Sequence, residues 1–142
     1  MIIPDVNVLV YAHDSTSPRH LVAKSWFENA LRGSEDIGFL LVVALGFVRL
    51  LSNPKIVLNP IAPMHLVSTV ESWLQIPNAR MIQPGMRHFE LMQKLFAESQ
   101  AGTNLITDVH IAAAALEHNA TLVSNDTDFR RFAGVKIFNP FV

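Results

Sequence analysis

Residues 107–129 read TDVHIAAAALEHNATLVSNDTDF, and two periodicities meet within them. Ile111, Ala112, Ala115 and Leu116 recur at helical offsets from Asp108, which predicts a helix over Thr107–His118 with that carboxylate on the apolar stripe. Thr121–Ser124 then reads as a short buried strand, and Asn125-Asp126-Thr127-Asp128 turns the chain directly after it. Helices alternating with short apolar runs are the pattern of a parallel sheet covered on both faces.

The same alternation extends outward in both directions. Downstream, a turn or short helix over Thr127–Phe132 leads to a strand at Val135–Phe138. Upstream, strands are expected at Met1–Ile3, Ile37–Leu41 and Ala79–Ile82. Val6–Ala12 continues the first strand as a helix that Asp5 can cap. Past Pro18, the residues Ala23, Trp26, Phe27, Ala30 and Leu31 define a helix that Gly33 stops. Val42–Ser52 forms another, ended by Asn53 and Pro54. Leu66, Val67, Val70, Trp73 and Leu74 mark a helix after Pro63, and Phe89, Met92, Leu95 and Phe96 mark one after Gly85. No repeat, low-complexity run or linker divides residues 1–142, so a single α/β domain is expected.

Composition narrows the chemistry. The 142 residues include no cysteine, which removes disulfides, thiolate zinc sites and cysteine nucleophiles and leaves oxygen or imidazole as metal donors. The apolar run Ile37–Leu51 is broken by Gly38, Gly46 and Arg49 and is shorter than the roughly 20 residues of a membrane span. The amino terminus lacks the pattern of a secretory signal, and the expected compartment is the cytoplasm. A net charge of −1 shows no global attraction to nucleic acid, although Arg130 and Arg131 stand beside the proposed acidic site, either binding phosphate or simply solvated. The six histidines lack zinc-type spacing and are read as surface or structural groups, His110 pointing away from Asp108. Trp26 and Trp73 fall at helical core spacing and are read as packing residues.

In parallel sheets, ligands gather beyond the carboxyl ends of strands. Asp5 and Asp126 both fall at such ends, and Asp108 lies on an apolar stripe where an ionised group needs a partner. Each also has a plain structural use: a helix cap for Asp5, an Asx turn for Asp126, and a first-turn acid for Asp108. Three convergent carboxylates would raise one another's pKa unless a divalent cation neutralised them, and magnesium or manganese suits an all-oxygen set. Such an ion acidifies water and offsets the charge that builds up during in-line displacement at phosphate.

Three segments carry a resemblance to a known family: Ile3-Pro4-Asp5-Val6-Asn7-Val8-Leu9, Thr107-Asp108-Val109-His110-Ile111-Ala112-Ala113, and Ser124-Asn125-Asp126-Thr127-Asp128-Phe129. Together with the closing Asn139-Pro140, they resemble the motifs of PIN-domain ribonucleases, and most of all VapC-type toxins of bacterial toxin-antitoxin pairs. The resemblance implies a three-layer α/β/α sandwich around a mainly parallel sheet and a Mg2+- or Mn2+-dependent endoribonuclease acting on RNA. It implies that Asp5, Asp108 and Asp126 are the catalytic metal-binding acids, that Asp128 is a further metal ligand, and that Asn7 and Ser124 orient the carboxylates. It also implies a homodimer and silencing by a VapB-type antitoxin protein.

One departure stands out. PIN domains commonly carry a Glu on the helix after the second strand, whereas Ala44-Leu45-Gly46-Phe47-Val48-Arg49 has no acid and Phe47 is read as occupying that place. One firmly held metal ion is therefore expected, with Arg49 facing phosphate or lying on the surface. Two rival functions follow. A catalytically weak interaction module would keep the fold without responding to metal. An aspartate-nucleophile phosphatase would use Asp5, but Asp5-Val6-Asn7 lacks that pattern's second aspartate.

Overall fold

The computed structural model describes all 142 residues. Its elements alternate as expected: β1 (Ile2–Pro4), α1 (Val6–His13), α2 (His20–Arg32), β2 (Ile37–Phe39), α3 (Leu41–Leu51), α4 (Pro63–Trp73), β3 (Ala79–Met81), α5 (His88–Ser99), α6 (Ile106–Glu117), β4 (Thr121–Val123) and β5 (Lys136–Phe138). Short 3-10 turns cover Thr103–Leu105 and Thr127–Arg131. No helix is long and apolar enough to cross a membrane.

The five strands form one sheet in the order β3-β2-β1-β4-β5, and every pair is parallel. From β1 the chain steps outward through β2 to β3, then crosses back to β4 and β5 on the other side of β1. Right-handed crossovers therefore put α1–α4 on one face and α5 and α6 on the other. The packing agrees, since α1 lies against α2 and α3, α3 against α4, and α5 against α6. The direction of winding reverses between β1 and β4, and a crevice opens at the carboxyl ends of two such strands.

The core reflects these layers. Ile3 and Leu122, neighbours on the central strands, are wholly buried. On the α6 face, Ala112, Ala113, Ala114 and Ala115 are all buried, and their small side chains let the helix backbone lie close to the sheet. Asn119 takes φ +49° just past α6, a left-handed stop before β4 begins. On the opposite face, Trp73 stacks on Phe39 at 5.2 Å and meets Phe47 at 4.8 Å and Phe27 at 5.2 Å.

Two helix faces differ from the expected stripes. On α5 the buried residues are His88, Leu91 and Leu95, while Phe89 is 74% exposed. The helix is turned by about one residue because it packs on α6, where His88 finds a polar partner that Phe89 would not need. On α4, Leu66 and Trp73 are buried but Val67 is more than half exposed. Val67 instead lines an open apolar groove with Leu41, Leu45, Val48 and Val70 of α3 and α4.

Candidate metal centre

The sheet ladder itself delivers the acids. The Asp5 N–H donates to the Val123 carbonyl at 2.9 Å, and the Ser124 N–H to the Phe138 carbonyl at 3.0 Å, so pairing runs one residue past each strand. This continuation seats Asp5 beside Ser124 at the point where the winding reverses. Asp5 is 4% exposed; its Oδ1 accepts from the Val6 N–H at 2.7 Å, and its Oδ2 accepts from the Ser124 hydroxyl at 2.7 Å. Ser124 Oγ in turn accepts from the Asp126 N–H at 3.0 Å, and Asp126 Oδ1 accepts from the Asp128 N–H at 2.9 Å. One hydroxyl thus ties the carboxyl ends of β1 and β4 together, and the turn after β4 is wound so that both of its acids face inward.

Asp108, in the first turn of α6, completes the group. Carboxylate oxygens of Asp108, Asp126 and Asp128 lie within 4.8 Å of one another, and all three residues are half-buried. Asp5 stands outside this set, deeper in the crevice. Burial pushes the Asp108 carboxyl up to about 6, helped by the charges of Asp126, Asp5 and Asp128 and opposed by Arg131. Burial also raises Asp5, against the lowering effect of the Ser124 and Val6 hydrogen bonds, with Asp126 adding to the rise. Arg131 Nη2 sits 3.7 Å from Asp128 Oδ1, a single half-exposed cation against several carboxylates. Three hard oxygen donors in mutual repulsion at the edge of a crevice fit a divalent cation of the magnesium or manganese kind.

Other expected residues fall differently. The hydrogen bonds to these carboxylates come from Val6, Ser124 and Asp128, and none comes from Asn7, which lies inside α1. Arg130 lines a small polar cavity with Asp126 and Asn139 and makes an ion pair with no acid, while Arg49 is exposed. The reading of Phe47 as the place of the absent Glu is corrected. Phe47 is wholly buried against Trp73 and His13, on the aromatic side of α3. Its neighbour Gly46 is the residue that faces α1, where an added Cβ would lie 3.2 Å from Val6 Cγ2, next to Asp5. A one-residue step turns a helix by about 100°, which separates a core position from a crevice position.

The family profile for the PIN domain matches residues 2–135. The chain belongs to the PIN-domain family. Among curated relatives of this PIN domain, Ribonuclease VapC37 of Mycobacterium tuberculosis is 38% identical over 140 residues, covering 99% of this chain and 97% of the relative. Ribonuclease VapC33 of the same species is 34% identical, with 99% and 98% covered. Among solved structures, FitAB bound to the IR36 DNA fragment aligns with a TM-score of 0.71 at 20% identity, over 100% of this chain and 96% of that one. VapBC2 from Rickettsia felis, bound to a DNA fragment from its promoter, aligns with a TM-score of 0.70 at 21% identity, covering 98% of each chain. At such identities the agreement concerns the PIN fold, the five-stranded parallel sheet between two helical layers.

The histidines were not legible as a group. His88 is 2% exposed, and its Nε2 lies 2.8 Å from His110 Nδ1 across the α5–α6 interface. Burial, and then His88, lower the His110 imidazole below its ordinary value. The half-buried His13 donates from Nδ1 to the Leu9 carbonyl at 2.8 Å and packs edge-on against Phe47 at 5.0 Å. Only the packing of one helix on another reveals these placements.

Proposed function

We propose that this PIN domain is a divalent-metal-dependent endoribonuclease that serves as the toxin of a toxin-antitoxin pair. The observation that carries the reading is the cluster of Asp108, Asp126 and Asp128, whose oxygens crowd within 4.8 Å at the reversal point of the sheet. Full-length identity of 38% with a relative named as a ribonuclease supports the same chemistry. Asp108, Asp126 and Asp128 would hold one Mg2+ or Mn2+ ion. Asp5 joins them from below, because each of its oxygens accepts one hydrogen bond and keeps a second lone pair.

A bound divalent cation supplies neutralising charge, acidifies water and stabilises the phosphoryl oxygens during in-line displacement. The protein's own groups do the positioning. Ser124 fixes Asp5 and the Asp126 backbone through a single hydroxyl, so the acids cannot drift apart as charge builds up. Arg130, free of any acid, is placed to meet a flanking phosphate. Without an acid at Gly46 or Phe47, α3 adds no ligand, and one ion rather than two is the expected stoichiometry.

A VapB-type antitoxin is the proposed inhibitor, covering the acidic crevice, and a homodimer is the proposed assembly. The cytoplasm, where RNA would be met, is the proposed compartment. Cleavage of structured RNA by purified protein, compared in Mg2+, Mn2+ and chelator, tests the central reading. Cutting that needs the metal and is lost in Asp126→Asn is expected. Cutting indifferent to chelator would point to another mechanism, and inertness with every ion would favour an interaction module.

A further inference from the structure

Away from the acids, a second set of titratable side chains is assembled between α5 and α6. His88 Nε2 meets His110 Nδ1 at 2.8 Å, while His88 Nδ1 is buried without a hydrogen-bond partner and faces Glu117 Oε1 at 3.7 Å. Glu117 is anchored in turn, because its Oε1 accepts from the Gly85 N–H at 2.8 Å and its Oε2 from the Arg87 N–H at 3.1 Å. A Cβ at position 85 would lie 2.5 Å from Glu117 Oε2, so any larger residue there would displace this carboxylate. The chain has built a line from carboxylate to buried imidazole to half-exposed imidazole.

The proton positions follow from electrostatics. A neutral imidazole carries one donor and one acceptor nitrogen. A lone pair on His88 Nδ1 would face a carboxylate, so the hydrogen resides on Nδ1 and His88 Nε2 accepts. His110 then donates from Nδ1, which leaves the lone pair of its Nε2 free. That nitrogen has no protein partner and is not sealed from solvent.

His110 opens on a groove of about 400 Å³ that it lines with Leu41, Leu45, Ile82, Gln83 and Pro84. Leu41 begins α3 just beyond β2, and Ile82, Gln83 and Pro84 follow β3, so the groove lies along the same carboxyl edge as the acids. His110 is two residues from Asp108, about 200° around α6 and about 3 Å along it. The first turns of one helix therefore separate the two sites. Apolar walls with one oriented acceptor suit a flat heterocycle that bears a hydrogen-bond donor, and because the RNA bases carry their donors at different ring positions, one fixed acceptor separates them by where the donor lies. A docked protein helix would use the walls but would leave the buried relay without a purpose.

We infer that His110 accepts a hydrogen bond from an RNA base seated in this groove beside the scissile phosphate, with His88 and Glu117 as its positioning residues; the inference rests on the ribonuclease reading. The groove sets base preference at one position flanking the cut and leaves the chemical step to the acids.

Cleavage sites mapped across a randomised RNA pool in Mn2+ test this. In His110→Leu, cutting at the preferred sites falls about 3- to 10-fold, the value of one hydrogen bond, and preference at a single flanking position flattens. His110→Gln, which keeps a carbonyl acceptor, retains most of the preference. Long-range 1H–15N spectra of the ring nitrogens show His110 as the Nδ1–H tautomer in the unaltered protein and as Nε2–H in His88→Leu. An unchanged cleavage profile in His110→Leu overturns the base subsite and leaves the ribonuclease reading intact. An unaltered protein that cuts no RNA in Mn2+ overturns both. Normal preference with weakened self-association in His110→Leu overturns the subsite and assigns the groove to a second copy of the chain.

Discussion

Asp108 and His110 stand two residues apart on α6 and look in opposite directions, and burial drives both toward their neutral forms. The Asp108 carboxyl is pushed up to about 6, and the His110 imidazole is held below its usual value. Their neighbours then separate them. Asp108 faces Asp126 and Asp128, which can only repel it, whereas His110 finds a hydrogen-bonding partner in His88. A cluster of like charges is an incomplete structure that an added cation completes. A histidine pair with a carboxylate 3.7 Å behind it needs no added ion and has one lone pair to offer.

The largest expected effect comes from removing an acid. Asp126→Asn should cut metal-dependent RNA cleavage by at least about 100-fold, since even outer partners of metal ligands are worth 10- to 100-fold, while the metal-free protein melts no lower than before. Loss of folding in that variant would show that the cluster serves stability instead. Phe47→Ala should do the reverse. It empties a wholly buried site, at a cost of about 3–5 kcal/mol in a denaturant titration, with Mn2+ affinity unchanged in the folded fraction. A fall in metal affinity there would place α3's aromatic side in the metal site after all.

Ser124→Ala comes next. It removes the hydroxyl shared by Asp5 and the Asp126 backbone, so a loss of about 10- to 100-fold in cleavage is expected, with a stability cost of about 1–3 kcal/mol from the buried partners left behind. Full activity would mean that the acids hold their places unaided. Smaller still is a pH effect on the metal-free protein. The Asp108 pKa is raised from 3.8 to about 6 on folding, so within that interval the folded state binds the proton more tightly than the unfolded chain. Stability from this group is therefore greatest at low pH and declines as pH rises through about 6. The difference in Tm between the protein and Asp108→Asn, measured in chelator, should widen by about 2–4 °C between pH 4 and 7 and shrink when Mn2+ is added. A flat difference would deny the crowding of charges. Gly46→Glu, which offers an acid on the side of α3 that faces Val6, should tighten Mn2+ binding severalfold, and a neutral outcome would place Gly46 too far from the ion.

Much of the architecture could be read from the letters. Apolar periodicity locates the strands and helices to within a residue or two, because the central strands β1, β2 and β4 are mostly buried and the helices carry apolar stripes. Asp108 was marked by standing on an apolar stripe, and Asp126 by following a buried strand at once. The exceptions share a cause. Spacing puts Phe89 in the core, yet it is exposed and His88 is buried beside it; the motif puts Phe47 in the place of the absent Glu, yet it is buried among aromatic rings and Gly46 is the residue that turns toward α1. In both places the sequence pattern allows either of two adjacent residues to be inside, and the choice depends on the helix that packs opposite. Asn7 fails for a related reason, since nearness in sequence to Asp5 gave it no bond to the acids.

Hydrophobic spacing along the chain was enough to specify alternating strands and helices, a parallel sheet, and acids at strand ends, because those features depend on local periodicity and the chemistry of single side chains. Which acids meet within 4.8 Å, and which histidine is pinned by another, arose from contacts between residues as far apart as Asp5 and Ser124 or His88 and His110. Such contacts depend on the rotation of each helix about its axis and on ladder pairing that runs past the strand ends. Neither quantity is written in any one segment.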